Sequence, residues 1–171
     1  MSKYYLLTIS QCFFNNFISE KLFFQLKNKH IVILPYKYLL QEEELISFPE
    51  NTERIYHFFE EKLPKNISID ICSEEDKFSE YAEHFDIISL GSFIIHVIAL
   101  PIFINIISSY VSENYISNKK YGKENAYLEE PTIDLSLEII QDDNGNSSTK
   151  LKYNGTLEGL NSILDSNILK K

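Results

Sequence analysis

Acidic side chains gather at three places in this chain, and two of these add a group that could help them do chemistry. Asp70 followed by Glu75-Asp76-Lys77 gives the order Asp…Glu-x-Lys. Carboxylates so ordered can hold Mg²⁺ while the lysine supports an attacking water, as in metal-dependent nuclease or hydrolase chemistry. Glu83-His84-x-Asp86 offers two carboxylates and an imidazole to a metal ion. Glu42-Glu43-Glu44 is acidic alone and reads as a solvated helix face. His96 stands by itself in an apolar run. There it could relay a proton or bind a ligand, or serve as a core histidine satisfied by a backbone carbonyl.

None of these patterns assembles a site on its own. The gap between Asp70 and Glu75 is short, and the acidic triplet reads as a solvated loop with no basic face beside it. Nothing elsewhere in the chain converges on His84. The two cysteines, Cys12 and Cys72, lie far apart with no CxxC pairing, so no metal centre follows from them. No serine sits in a G-x-S-x-G elbow, and no glycine-rich loop could cradle phosphate. The reading therefore assigns no catalytic, cofactor-binding or metal-ligating residue and expects no cofactor.

The elements around these residues divide the chain into four parts. Residues 1–86 read as a βαβαβ unit. Strand Lys3–Ser10 comes first, then a helix over 13–28 with Phe14, Phe17, Ile18 and Leu22 at helical spacing. His30–Leu34 is a short strand ended by Pro35. A helix follows from Asn51 as N-cap, with Ile55, Phe58, Phe59 and Leu63 in one stripe and Pro64 as its stop. Asn66–Cys72 alternates isoleucine with polar residues and reads as a half-buried strand. Phe14, Ile18, Ile55, Phe59, Ile69 and Ile71 are expected to share one core. Residues 118–131 read as a polar linker. Residues 132–171 read as ββα: Thr132–Ile140 alternates cleanly, Asn144-Gly145 suits a tight turn, Leu151–Tyr153 returns, and Leu157, Leu160, Ile163 and Leu164 line a last helix.

Between these parts lies the segment 87–117. Its first 25 residues, Ile87–Val111, carry no formal charge. That exceeds the ~18 uncharged apolar residues that flag a membrane span. It reads as one long apolar helix kinked near Pro101, because proline removes a backbone donor and clashes with the preceding turn. The fold class is accordingly α+β with a central apolar helix. His96 and Asn105 are expected to be hydrogen-bonded within protein, since an unpaired polar group in an apolar setting is costly. A helix apolar all round must be covered. Phe93, Ile94, Ile98, Ile102, Phe103, Ile106 and Tyr110 are therefore expected to form an interaction segment, exposed as an apolar patch for another subunit or for self-association. A membrane remains the alternative cover.

Composition narrows the class of partner. The chain has 171 residues, is 44% hydrophobic and carries a net charge of −9, which excludes disorder and argues against a phosphate backbone as ligand. The N-terminal MSKYYLLTISQ has too short an apolar run for a signal peptide, so a cytoplasmic location is expected, with an inner-membrane association as the alternative.

The order of elements over residues 66–170 resembles the effector-associated constant component modules of bacterial conflict systems. The shared layout is strand Asn66–Cys72, acidic loop, apolar segment with Gly91, linker, the Thr132–Tyr153 hairpin with its Asn144-Gly145 turn, and a short last helix. The N-terminal α/β unit and the long linker depart from the compact family pattern. The resemblance implies an accessory, non-enzymatic part of a multi-protein antiviral defence complex, and it supplies no catalytic residue.

Overall fold

The computed structural model describes residues 18–40, 43–82, 87–116, 132–141 and 147–165, the side chains of 38–40, 43, 44, 164 and 165 excepted. In chain order the elements are α1 (Glu20–Leu26), β1 (Ile31–Leu34), β2 (Tyr36–Leu40), β3 (Glu43–Pro49), α2 (Thr52–Lys62), β4 (Ile69–Ile71), β5 (Glu80–Tyr81), β6 (Ile87–His96), α3 (Leu100–Val111), β7 (Thr132–Ile140), β8 (Ser148–Gly155) and α4 (Leu157–Asp165). The chain is an α+β protein. Expected strand Lys3–Ser10, the start of the first helix with Phe14 and Phe17, and the turn at Asn144-Gly145 lie outside the described residues.

The largest difference from the sequence reading concerns the apolar segment. Its first ten residues form a strand, β6, at the centre of a five-stranded sheet ordered β4-β1-β6-β7-β8. β6 runs antiparallel to β1 and parallel to β7. A central strand covered on both faces reads as a continuous apolar run and shows no alternation, so it can be mistaken for a buried helix. Two local features favour the strand. Ile87, Ile88, Ile94 and Ile95 are β-branched and Phe93 is aromatic, types that suit a pleated surface. Gly91 takes φ +97°, where the pairing with β7 shifts register between Ser89 and Gly91. Such a backbone bulge suits glycine and cannot continue a right-handed helix. Pro101 does mark a break, for a different reason from the expected kink. It sits in the first turn of α3, where its missing N–H is no loss.

Register sets two apolar rows across the sheet. Ile71, Ile33, Phe93, Leu137 and Leu151 are successive cross-strand partners, and so are Ile69, Ile31, Ile95 and Ile139. The helices cover this face. Phe59 of α2 lies 6.3 Å from Phe93 and 5.3 Å from Phe103 of α3, and Phe93 lies 5.0 Å from Phe103. Phe58 meets Tyr110 edge-on at 5.2 Å. α3 buries Leu100, Phe103, Ile106, Ile107, Tyr110 and Val111, the spacing of one helical stripe. α4 joins it through Ser108 Oγ, which donates to Asn161 at 2.8 Å. The opposite face carries the row Asp70, Val32, Ile94, Glu138 and Lys150.

Of the expected N-terminal core, Ile18, Ile55, Phe59 and Ile69 are buried in one cluster and Ile71 packs against it. A second, three-stranded sheet, β2-β3-β5, was not expected. The glutamate run belongs to it: Glu43 and Glu44 open strand β3 and pair with Leu40 and Leu39, so the helix-face reading of that run is corrected.

α2 starts at Asn51 as expected, but the asparagine side chain does not cap it. Asn51 takes φ +71°, and the Glu80 carboxylate accepts the N–H groups of Asn51 at 3.0 Å and Glu53 at 2.8 Å. Two-residue β5, parallel to Phe48 and Pro49, brings Glu80 there. A carboxylate on the free N–H groups of a helix start is favourable both as hydrogen-bond acceptor and against the helix dipole.

Candidate functional site

The acidic groups are dispersed. Asp70 pairs with Lys29 at 2.9 Å and accepts the N–H of Ile71. Glu75, Asp76 and Lys77 form a single exposed 3-10 turn. Neighbouring Glu74 ties that loop to α1 by accepting the Ser19 N–H at 2.8 Å. Hydrogen bonds from Ser19, side chain first and backbone second, hold the Glu74 carboxyl below its ordinary range. Among the described residues no group of three or more His, Cys, Asp or Glu could hold a metal ion. Glu83, His84 and Asp86 lie outside the described residues.

His96 ends β6, half-buried, and finds a neighbour that no local pattern announces. Its backbone N–H donates to the carbonyl of His30 at 2.9 Å, and the two imidazoles meet edge-on at 6.3 Å. His30 Nδ1 accepts the Ser68 N–H at 3.2 Å and lies 3.0 Å from Ser68 Oγ. A nitrogen that accepts a backbone N–H carries no proton, so Ser68 Oγ donates to it as well. This knot fastens the ends of β1, β4 and β6. Its members are 28 or more positions apart in the chain, and only strand pairing brings them together. Asn105 departs from expectation: its side chain is exposed, and its carbonyl accepts Ser109 Oγ at 2.9 Å.

The seven residues of the expected interaction segment divide sharply. Phe93, Ile94, Phe103, Ile106 and Tyr110 are buried in the chain's own core. Ile102 is half-buried against it. Ile98 alone of the seven is exposed, at 62%, on the turn Val97–Ala99 between β6 and α3. The broad apolar patch expected of this segment is accordingly reduced to a corner made of Ile98, exposed Pro101 and half-buried Ile102. Both faces of β6 and the inner stripe of α3 are already covered. An aspartate at Ile106 would therefore enter the core, which leaves Ile98 as the position that probes the surface.

Residues Val97–Tyr115 are long and apolar enough to cross a membrane by length and composition. The core helix of a soluble protein passes the same test, and this one turns its apolar stripe onto the sheet. Burial pushes the Tyr110 hydroxyl above its ordinary range, with Tyr115 beside it adding to the shift.

Comparison of the chain with protein-family models, with curated proteins and with solved structures finds no match in any of the three.

Proposed function

We propose that this chain is a non-catalytic accessory subunit of a bacterial multi-protein complex, of the kind that serves antiviral defence. It docks on another protein through the corner at Ile98. The observation that carries this reading is the exposure of Ile98 at 62%, beside Pro101 and Ile102, on a turn fixed at both ends by the core. An apolar side chain on a turn anchored at both ends meets a partner without the cost of ordering the loop that carries it. The layout of residues 66–170, which resembles the constant component modules of conflict systems, supports the defence setting. The net charge of −9 supports a protein partner over a nucleic acid.

The test is affinity capture of the tagged chain from its native host, side by side with Ile98→Asp. The variant should melt at the same temperature as the wild type, because the side chain it replaces is in water. A stoichiometric partner retained by the wild type and lost by the variant is the expected result. Equal capture by both, or no stoichiometric partner, overturns the reading.

A second reading has its own observation, the span-length helix Val97–Tyr115. As a single-span or monotopic anchor the chain would resist carbonate extraction from membranes. A wholly soluble pool removes that alternative.

A further inference from the structure

The geometry points to the outer edge of β8 as a docking strip for one extended, acidic segment of a partner protein, added to the sheet as a sixth strand. This rests on the interaction-subunit reading and names a second, separate contact for it. β8 closes one end of the five-stranded sheet and pairs along its whole length with β7, from Ile133↔Gly155 to Ile140↔Ser148. Among the described residues no strand lies on its other side. In an antiparallel strand every second residue turns its N–H and C=O away from its neighbour, so about four residues of β8 offer them outward. Such a row accepts another strand.

The side chains select which strand. Lys150 and Lys152 are exposed and stand on one face, while half-buried Leu151 and buried Tyr153 stand on the other. A segment laid along this edge meets cations on one side and apolar groups on the other. The chain already makes that match on the inner side. Lys150 Nζ lies 3.5 Å from the carboxylate of its cross-strand partner Glu138. β7 alternates Asp134 and Glu138 with Leu135 and Leu137. Lys150 keeps 72% of its side chain exposed, against 8% for Glu138, so its ammonium has room for a second carboxylate. A second copy of the chain fits poorly. Antiparallel β8–β8 pairing with the helices kept on one side sets the lysines of the two copies against each other, and like charges directly opposite are destabilising. The same lysines that bar self-pairing admit an acidic strand.

The probe is a fluorescein-labelled peptide of sequence TIDLSLEII with Gly-Ser spacers, read by anisotropy against the full chain. The control peptide carries lysine in place of both its acidic residues. Saturable binding of the acidic peptide, at least about tenfold tighter than the control, is expected. The double variant Lys150→Glu, Lys152→Glu should reverse the preference while keeping the wild-type circular dichroism. Should that variant fail to fold, the acidic peptide is N-methylated at one set of alternate residues or at the other: the peptide methylated on the N–H groups that face β8 must lose binding to the wild type, and the one methylated on those facing away must keep it. Equal binding of the two peptides, no saturable binding, binding retained by both of the N-methylated peptides, or self-association of the wild type through this edge in sedimentation each overturn the inference. Because the peptide reports on β8 alone, its failure beside a partner lost by Ile98→Asp removes the edge contact and leaves the accessory-subunit reading standing.

Discussion

Phe59→Ala tests whether α3 is core or surface. Phe59 is fully buried, with Phe93 of the sheet on one side and Phe103 of α3 on the other. Truncating a buried phenylalanine costs roughly 3–5 kcal/mol, the transfer of the ring plus the cavity it leaves. Two lost aromatic contacts, each worth about 0.5–1.5 kcal/mol beyond area, place this site near the upper end. A loss of about 4 kcal/mol is a large part of the 5–15 kcal/mol that holds a domain together, and corresponds to roughly 8–16 °C in melting temperature for a chain of this size. The assay is urea unfolding followed by far-UV circular dichroism, with the slope unchanged and the midpoint moved. Phe103→Ala and the double variant complete a cycle. Residues in contact should couple by about 0.5–3 kcal/mol. A loss under about 1 kcal/mol for Phe59→Ala would refute burial at that position. A coupling of zero would refute the docking of α3 on α2, and with it the placement of the apolar segment in the core.

Other positions give sharper local tests. Gly91→Ala forces a Cβ onto a residue at φ +97°; the nearest atoms leave ordinary room, so backbone strain alone should cost about 1–2 kcal/mol in the same urea assay. Glu80→Ala uncaps α2 and should cost about 1 kcal/mol, with Glu80→Gln recovering part because the amide oxygen still accepts. Tyr110→Phe removes a buried hydroxyl that has no hydrogen-bond partner among the described residues; stability should hold or rise by about 1 kcal/mol in thermal melts. Glu74, with its folded value lowered, adds stability that is complete above the ordinary carboxylate value of 4.5 and is lost as pH falls through the lowered one. Glu74→Gln should therefore flatten the acid limb of the stability–pH curve slightly, since the group is exposed and screened.

How legible each element was depended on what covers it. α2, α4 and the first part of β7 each have one covered face, so their apolar residues recur at the period of the element: Ile55 and Phe59 on α2, Leu157 and Leu160 on α4, Ile133, Leu135 and Leu137 on β7. β6 has two covered faces, so its period vanished and only Gly91 and the β-branched content signalled a strand. The β2-β3 hairpin was hidden by composition, because three glutamates in a row suggest a solvated helix until Glu43 and Glu44 are paired with β2. The helix cap was half visible. Asn51 stands where a cap is needed, yet the acceptor is Glu80, 29 residues on and brought in by strand β5. The His30–Ser68–His96 knot left no local trace, since each member sits at the end of a different strand.

The same packing weighs against lipid as the cover for α3. Undocking the helix would uncover Phe103, Ile106, Ile107, Tyr110 and Val111 together with Phe93 of the sheet, whose ring lies against Phe103. At roughly 1.5–3 kcal/mol per buried side chain, the five helix residues alone stand for about 10 kcal/mol, on the scale of a whole domain's stability. A bilayer could restore the helix side of that sum. It could not cover the sheet, whose central strand would then face water along its most apolar row. The Ser108–Asn161 hydrogen bond would also be lost, and exposed Asn105 would enter the hydrocarbon without a partner. An uncharged run of 25 residues is thus better served by a mixed sheet that buries its first half on two faces and its second half on one. Of the large apolar side chains in that run, only Ile98 and, less so, Ile87 are left exposed among the described residues.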